Sequence, residues 1–145
     1  MVLIESITAE QTLPIRQSVL RPGRPVNECN FDGDNAPQTF HLGAFIEEKL
    51  VGLASFVVDP HNYFSGKQYR LRGMAVLPEY RGKGYGKKLV VHGENLLKQQ
   101  ECDVLWFNAR EVALNFYKDL GFVIKGEPFQ IPTIGTHFVM FKRLS

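Results

Sequence analysis

Apolar residues fall in short blocks along this chain, and the spacing within each block assigns it an element. Val2 to Ile7 is a short β-rich opening and reads as a first strand. Thr8-x-x-Gln11 has the form of a capping box, but Pro14 is best tolerated in a first helical turn, which favours a helix over Leu13–Leu20. Arg21-Pro22-Gly23-Arg24-Pro25 ends it, and Val26 to Gln38 is polar with breakers at Gly33 and Pro37, a long loop. Phe40–Ile46 and Leu50–Val58 are apolar runs around Glu47-Glu48-Lys49, a hairpin. Tyr69–Leu77 is the next strand, where Gly73 signals a bulge or a close approach by a ligand. Leu89, Val90, Leu96 and Leu97 follow near 3.6 spacing in a helix from Tyr85 to about Gln99, in which Gly93 marks close helix–sheet packing and His92 a surface position.

Val104-Leu105-Trp106-Phe107 is a continuous apolar run suited to a buried strand of parallel type. Glu111–Leu120 reads as a second amphipathic helix closed by Gly121. Phe122–Phe129 and His137–Lys142 form a last antiparallel pair around a turn-rich Pro128–Gly135 segment. The order β-α-loop-β-β-β-α-β-α-β-β predicts an α/β (α+β) domain spanning residues 1–145, with a mixed, mostly antiparallel twisted sheet of about seven strands and helices on both faces.

Charge narrows the partners. Lys plus Arg is 17 against 15 for Asp plus Glu, too even a balance to favour nonspecific nucleic-acid binding. Cys29 and Cys102 belong to no C-x-x-C pair, and His41, His61, His92 and His137 lack metal-ligand spacing, so no metal is expected. No stretch reaches the roughly 20 apolar residues of a membrane span, and Glu5 interrupts any leader-like start. The expectation is a cytoplasmic, reduced protein.

Tyr80-Arg81-Gly82-Lys83-Gly84-Tyr85-Gly86-Lys87-Lys88 carries the chemistry. Glycines at every second position let backbone approach a ligand, and N–H groups opening a helix favour an anion, so the stretch reads as a phosphate cradle. A P-loop would need Gly where Arg81 stands and a hydroxyl at Lys88; the dinucleotide fingerprint would need Gly at Lys87. What is present, Arg81-x-x-Gly84-x-Gly86, resembles the pyrophosphate loop of the GNAT superfamily of acyl-CoA-dependent N-acetyltransferases. A second stretch, Asn108-Ala109-Arg110 followed by Asn115-Phe116-Tyr117-x-x-x-Gly121-Phe122, resembles that family's second cofactor segment, in the correct order.

The resemblance implies acetyl-CoA as co-substrate, a cleft splayed between the fourth and fifth strands, and transfer to an amine by direct attack in a ternary complex. It implies that Met74, Ala75 and Val76 line the pantetheine arm, that the amides of Arg81, Gly82, Lys83, Gly84, Tyr85, Gly86 and Lys87 hold the pyrophosphate, and that Asn108 and Asn115 border the pantetheine. Tyr117 stands where the family's general acid stands, and the Val76 amide is the candidate oxyanion donor. For the base, Glu28, Asp32, Asp34, Glu79 and a water chain stay open, with Glu28 representing the loop acids that border the acceptor. Arg16 and Arg21 are candidates for an acidic group on the acceptor, while His41, Arg72 and Trp106 are within possible reach of the cleft and Phe31, Phe40, Phe64 and Phe129 of its walls. The acceptor is expected to be a small amine metabolite, and the assembly a homodimer. A non-catalytic acyl-CoA-binding module is the alternative.

Overall fold

The computed structural model describes residues 1–145. Seven strands, β1 (Val2–Ile7), β2 (Phe40–Ile46), β3 (Lys49–Val58), β4 (Gln68–Val76), β5 (Val104–Arg110), β6 (Val123–Ile131) and β7 (Gly135–Arg143), form one mixed sheet in the order β1-β2-β3-β4-β5-β7-β6. β1–β2, β2–β3, β5–β7 and β6–β7 are antiparallel. β4 and β5 are parallel over Gln68–Arg70 and Val104–Trp106. The apolar run Val104–Phe107 is buried throughout, as a strand paired on both sides requires.

Three α-helices accompany the sheet: α1 (Ala9–Ile15), α2 (Tyr85–Gln99) and α3 (Leu114–Asp119). α1 begins four residues earlier than the Pro14 argument places it. Thr8 is its N-cap, accepting from the Gln11 amide at 3.2 Å, while Gln11 Oε1 accepts from the Thr8 amide at 2.8 Å. The reciprocal cap satisfies two helix-end donors and sets the start, so Pro14 falls inside the helix. The chain then widens into a π-turn, Arg16–Leu20, with Arg21 N–H donating to Arg16 O at 3.0 Å.

α3 is shorter than expected. Glu111–Ala113 is a 3₁₀ turn that follows directly on β5, whose pairing with β7 runs as far as Arg110 opposite His137. Gly121 closes α3 at φ 96°, with Gly121 N–H on Lys118 O and Phe122 N–H on Tyr117 O, a Schellman ending. The turn-rich segment near the C-terminus shrinks to residues 132–134, since β6 continues through Pro128 to Ile131. Pro128 is accommodated because β6 is an edge strand with its register shifted between Lys125 and Phe129.

The chain divides into two compact units. The first comprises Met1–Val58 with Leu71–Leu96, the second Asp59–Arg70 with Leu97–Ser145. In the first, Ile7, Ile15, Leu53 and Ala75 form a buried cluster. A Cβ at Gly93 of α2 would stand 2.1 Å from the Phe56 ring, so glycine is what permits this helix–sheet contact; His92 beside it is exposed. In the second unit Val104, Trp106 and Val139 are buried with Phe64, Phe129 and Phe141 packed against them. Trp106 is core, its indole N–H on Asp59 O at 2.7 Å. No helix is long and apolar enough to cross a membrane.

Candidate active site

The candidate residues fall in both units: Met74 to Lys87 in the first, Asn108, Asn115 and Tyr117 in the second. In the first unit β4 runs through Gly73 at φ 65°, then Met74, Ala75 and Val76, of which Ala75 is buried. Leu77 N–H returns to Val51 O at 2.9 Å, and a 3₁₀ turn, Pro78–Tyr80, leads into the glycine loop. Gly82 and Gly84 adopt φ 77° and 83°, and beyond their chain neighbours no atom lies within 4 Å of where a Cβ would stand on either. That left-handed backbone disfavours other residues and turns the chain into the first turn of the 15-residue α2. Gly86 lies within α2, and Lys83, Lys87 and Lys88 are exposed. The Arg81 side chain turns back, its Nε–H donating to Val76 O at 3.0 Å, which fixes the end of β4 to the loop.

In the second unit Asn108 is half-buried on β5 and Asn115 is exposed on α3. Tyr117 is buried, its ring centroid 4.2 Å from that of Phe107 and 5.0 Å from that of Phe116. Burial pushes its phenol up to about 12. A full proton transfer from such a group to a thiolate of ordinary basicity, near 8.5, is uphill by about 5 kcal/mol. The reluctance is larger than an unperturbed tyrosine suggests.

The loop acids separate by environment. Glu28 is exposed and paired with Arg24 at 3.0 Å. Asp32 is exposed. Asp34 is buried and takes two hydrogen bonds from Arg16, at 2.6 and 2.9 Å, and one from the Phe31 amide at 2.9 Å. Burial alone raises its carboxyl, but the hydrogen bonds from Arg16 and Phe31 and the charges of Arg16 and His41 outweigh that and hold it below the usual range. Asp34 is thus a fixed counter-ion rather than a proton acceptor. Arg16, 0% exposed and bound also to Cys29 O and Ser55 Oγ, is withdrawn from any acceptor. His41 completes this network through Ser55 Oγ at 2.7 Å and Asp34 O at 3.0 Å and is likewise buried. The carbonyl of Asp34 must accept, so Nε2 carries the proton. Cys29 is fully buried and makes no nucleophile.

Sequence reasoning had no access to the Arg16–Asp34 pair, whose members stand 18 residues apart. Gly73 was a signal that could be read only halfway. The body that approaches it is the Phe31 ring, 2.5 Å from a Cβ built there. No group of three or more His, Cys, Asp or Glu side chains is placed to hold a metal.

This fold is shared with solved N-acetyltransferase structures. The ribosomal-protein-S18-alanine N-acetyltransferase of Escherichia coli superposes with a TM-score of 0.77 at 19% identity, covering 100% of this chain and 95% of that one. An aminoglycoside 6'-N-acetyltransferase solved with coenzyme A gives 0.73 at 16% identity, with 99% and 97% covered. The chain is 39% identical over 145 residues to the uncharacterized N-acetyltransferase YitI of Bacillus subtilis (strain 168), covering 99% of this chain and 97% of that protein. The family profile described as Acetyltransferase (GNAT) family matches residues 4–122, and the chain belongs to that family.

Proposed function

We propose that this protein transfers the acetyl group of acetyl-CoA to a primary amine of a small metabolite, by direct attack in a ternary complex. The observation that carries the reading is the glycine loop: Gly82 and Gly84 in left-handed backbone, open space around both, and the start of a long helix behind them. These features suit a diphosphate held by main-chain donors, and Lys83 and Lys87 add charge at the same place. Acetyl-CoA supplies an activated carbonyl and a thiolate leaving group; the protein supplies position and protons. Met74, Ala75 and Val76 would line the pantetheine as the strand leading to the loop, and Met74 lies four positions beyond Arg70, the last β4 residue paired with β5. The Val76 amide would donate to the developing oxyanion, with Arg81 bracing that strand end. Asn108 and Asn115 are the further residues that the family resemblance assigns to that arm.

An alkylammonium must lose its proton before it attacks. With Asp34 committed to Arg16, the loop acids left for that work are Glu28 and Asp32. Tyr117 would donate to the departing thiolate, as a hydrogen bond that strengthens while charge builds. A two-fold dimer and a cytoplasmic location belong to the same reading, the dimer testable by sedimentation. The test of turnover is thiol release from acetyl-CoA with a panel of amines, for wild type and Tyr117→Phe. Amine-dependent release, lowered in the variant, upholds the proposal.

One observation favours a second reading, a domain that binds acyl-CoA without turnover: Tyr117 is buried, and burial pushes its phenol up, which makes it a poorer acid toward a thiolate. Tight coenzyme A binding with no release from any amine would select it.

A further inference from the structure

β7 carries an imidazole with no part in the chemistry so far. His137 stands directly opposite Arg110 at the end of β5 and opposite Phe129 of β6. Its ring Nδ1 lies 2.9 Å from Gly135 O. A carbonyl oxygen only accepts, so Nδ1 holds the proton of the neutral ring and Nε2 holds the lone pair. The hairpin that presents Gly135 is itself pinned. Ile134 N–H donates to Ile131 O at 3.0 Å, and Gln130 Nε2 donates to Thr136 Oγ1 at 2.8 Å. The backbone therefore fixes both the tautomer and the direction of this ring.

Register gives the ring its place. Directly opposed residues of an antiparallel pair share a face, so His137, Val139 and Phe141 lie on the same face as Arg110, Asn108 and Trp106. Asn108, opposite Val139, is the diagonal neighbour of His137, at a strand separation of roughly 7–8 Å. The family resemblance assigns Asn108 to the pantetheine arm, so a base one diagonal away is within reach of an amine at the end of that arm. The surroundings hold little water. His137 is 5% exposed, and Phe129, with its ring centroid 5.9 Å from the imidazole, also covers the cluster of Val104, Trp106 and Val139. The charged side chains on the strands either side are Arg110, Lys125 opposite Val139, and Glu127 in the shifted stretch of β6; all three are exposed. Glu28 and Asp32 stand in water as well, with Glu28 paired to Arg24.

We propose that His137, through Nε2, is the catalytic base that deprotonates the amine acceptor. The inference rests on the acetyltransfer reading and adds a residue to it. The ammonium gives one proton to Nε2, and the nitrogen pair so freed attacks the thioester carbonyl. C–N forms, C–S breaks, and sulfur leaves with the bonding pair. A second nitrogen proton is lost as the amide forms, matching the one the thiolate takes up, and the imidazolium returns its own to water. Nothing is oxidised or reduced. As a class, imidazole side chains exchange protons near neutral pH, which suits them to this step.

The test uses the full chain with acetyl-CoA and follows thiol release. His137→Asn keeps an N–H where Nδ1 stands, for Gly135 O, and has nothing at Nε2. His137→Gln, which sets a non-basic amide near Nε2, serves if the first variant fails to fold. The probes are ethylamine and 2,2,2-trifluoroethylamine, alike in shape but one an ammonium and the other mostly neutral at neutral pH, together with the panel amine that wild type uses best. For ammonium acceptors kcat should fall about 100-fold, with coenzyme A affinity by calorimetry retained. For trifluoroethylamine, which needs little deprotonation, the fall should stay below about 5-fold, and the rise of kcat with pH seen in wild type should be absent from the variants. Imidazole in solution should return part of the rate to His137→Ala. A variant that keeps the wild-type rate and pH profile overturns the proposal, and so does one that slows ammonium and neutral acceptors alike, the mark of a purely structural role. Should wild type release no thiol with any amine of the panel, the acetyltransfer reading fails and the base falls with it; turnover in wild type that the substitutions leave untouched sinks the base alone.

Discussion

Asp34→Asn should unfold this protein more readily than any other single-atom exchange in the loop after α1. The carboxylate holds Arg16 through both oxygens, Oδ2 at 2.6 Å and Oδ1 at 2.9 Å, and Oδ2 also takes the Phe31 amide at 2.9 Å. An asparagine that keeps its oxygen toward Phe31 must turn its amide N–H₂ toward the guanidinium, donor against donor. The guanidinium, 0% exposed, is then buried without a counter-charge. Breaking one member of a buried pair in this way costs about 3–5 kcal/mol. For 145 residues, about 4 kcal/mol corresponds to a midpoint lowered by about 13 °C. Thermal and urea unfolding followed by circular dichroism measure it, with Arg16→Met and the double variant completing a cycle. The double variant should recover much of the loss, because neither charge is then stranded. A destabilisation below about 1 kcal/mol, or single-variant effects that simply add, would refute the idea that this pair holds the loop. Acid supplies the same test in wild type. The folded carboxyl lies below its unfolded value, so its contribution is present above about pH 4 and is lost as pH falls through the folded value; Asp34→Asn removes that part of the pH dependence.

Further measurements follow from other positions. Gly93→Ala drives a methyl into the Phe56 ring and should lower stability by about 1–3 kcal/mol in urea titration, while Ala at the neighbouring exposed His92 should change it little. Gly82→Ala and Gly84→Ala place a Cβ on left-handed backbone, costing about 1–2 kcal/mol, and calorimetry should show weaker coenzyme A binding in both. Tyr117→Phe should lower kcat by about 100-fold with coenzyme A affinity retained, read from thiol release and calorimetry together. Because the folded Tyr117 titrates near 12 and the unfolded one near 10, wild type should lose about 3 kcal/mol of stability between those pH values relative to Tyr117→Phe.

The fold was legible wherever local pattern and global role agree. The continuous run Val104–Phe107 declared a strand covered on both sides, and Gly121 marked the end of α3 through its positive φ. Boundaries slipped where tertiary pairing overrode local preference. β5 persists to Arg110 because β7 keeps offering partners, and β6 passes through Pro128 because an edge strand can spare a donor. At α1 two local signals competed, and the Thr8–Gln11 cap prevailed over the preference of Pro14 for a first turn. At the site, the glycine loop was readable because its chemistry lies in consecutive residues. The burial of Tyr117 and the Arg16–Asp34 pair were not, since burial and long-range ion pairs arise only once distant segments are brought together. Phe31, Arg21 and Arg72 were each visible as residues, but their meeting on one ring was not.

The ion pair inside the first unit has a consequence for how such a protein can diversify. It rivets a long excursion of chain to the interior, leaving Asn30, Asp32 and Asn35 on its outer side. Residues at those positions can be exchanged without loosening the rivet, so the rim of the excursion is free to be redecorated while its path stays put. A scaffold fastened in this manner can acquire a taste for a different molecule one surface residue at a time, without passing through a poorly folded intermediate.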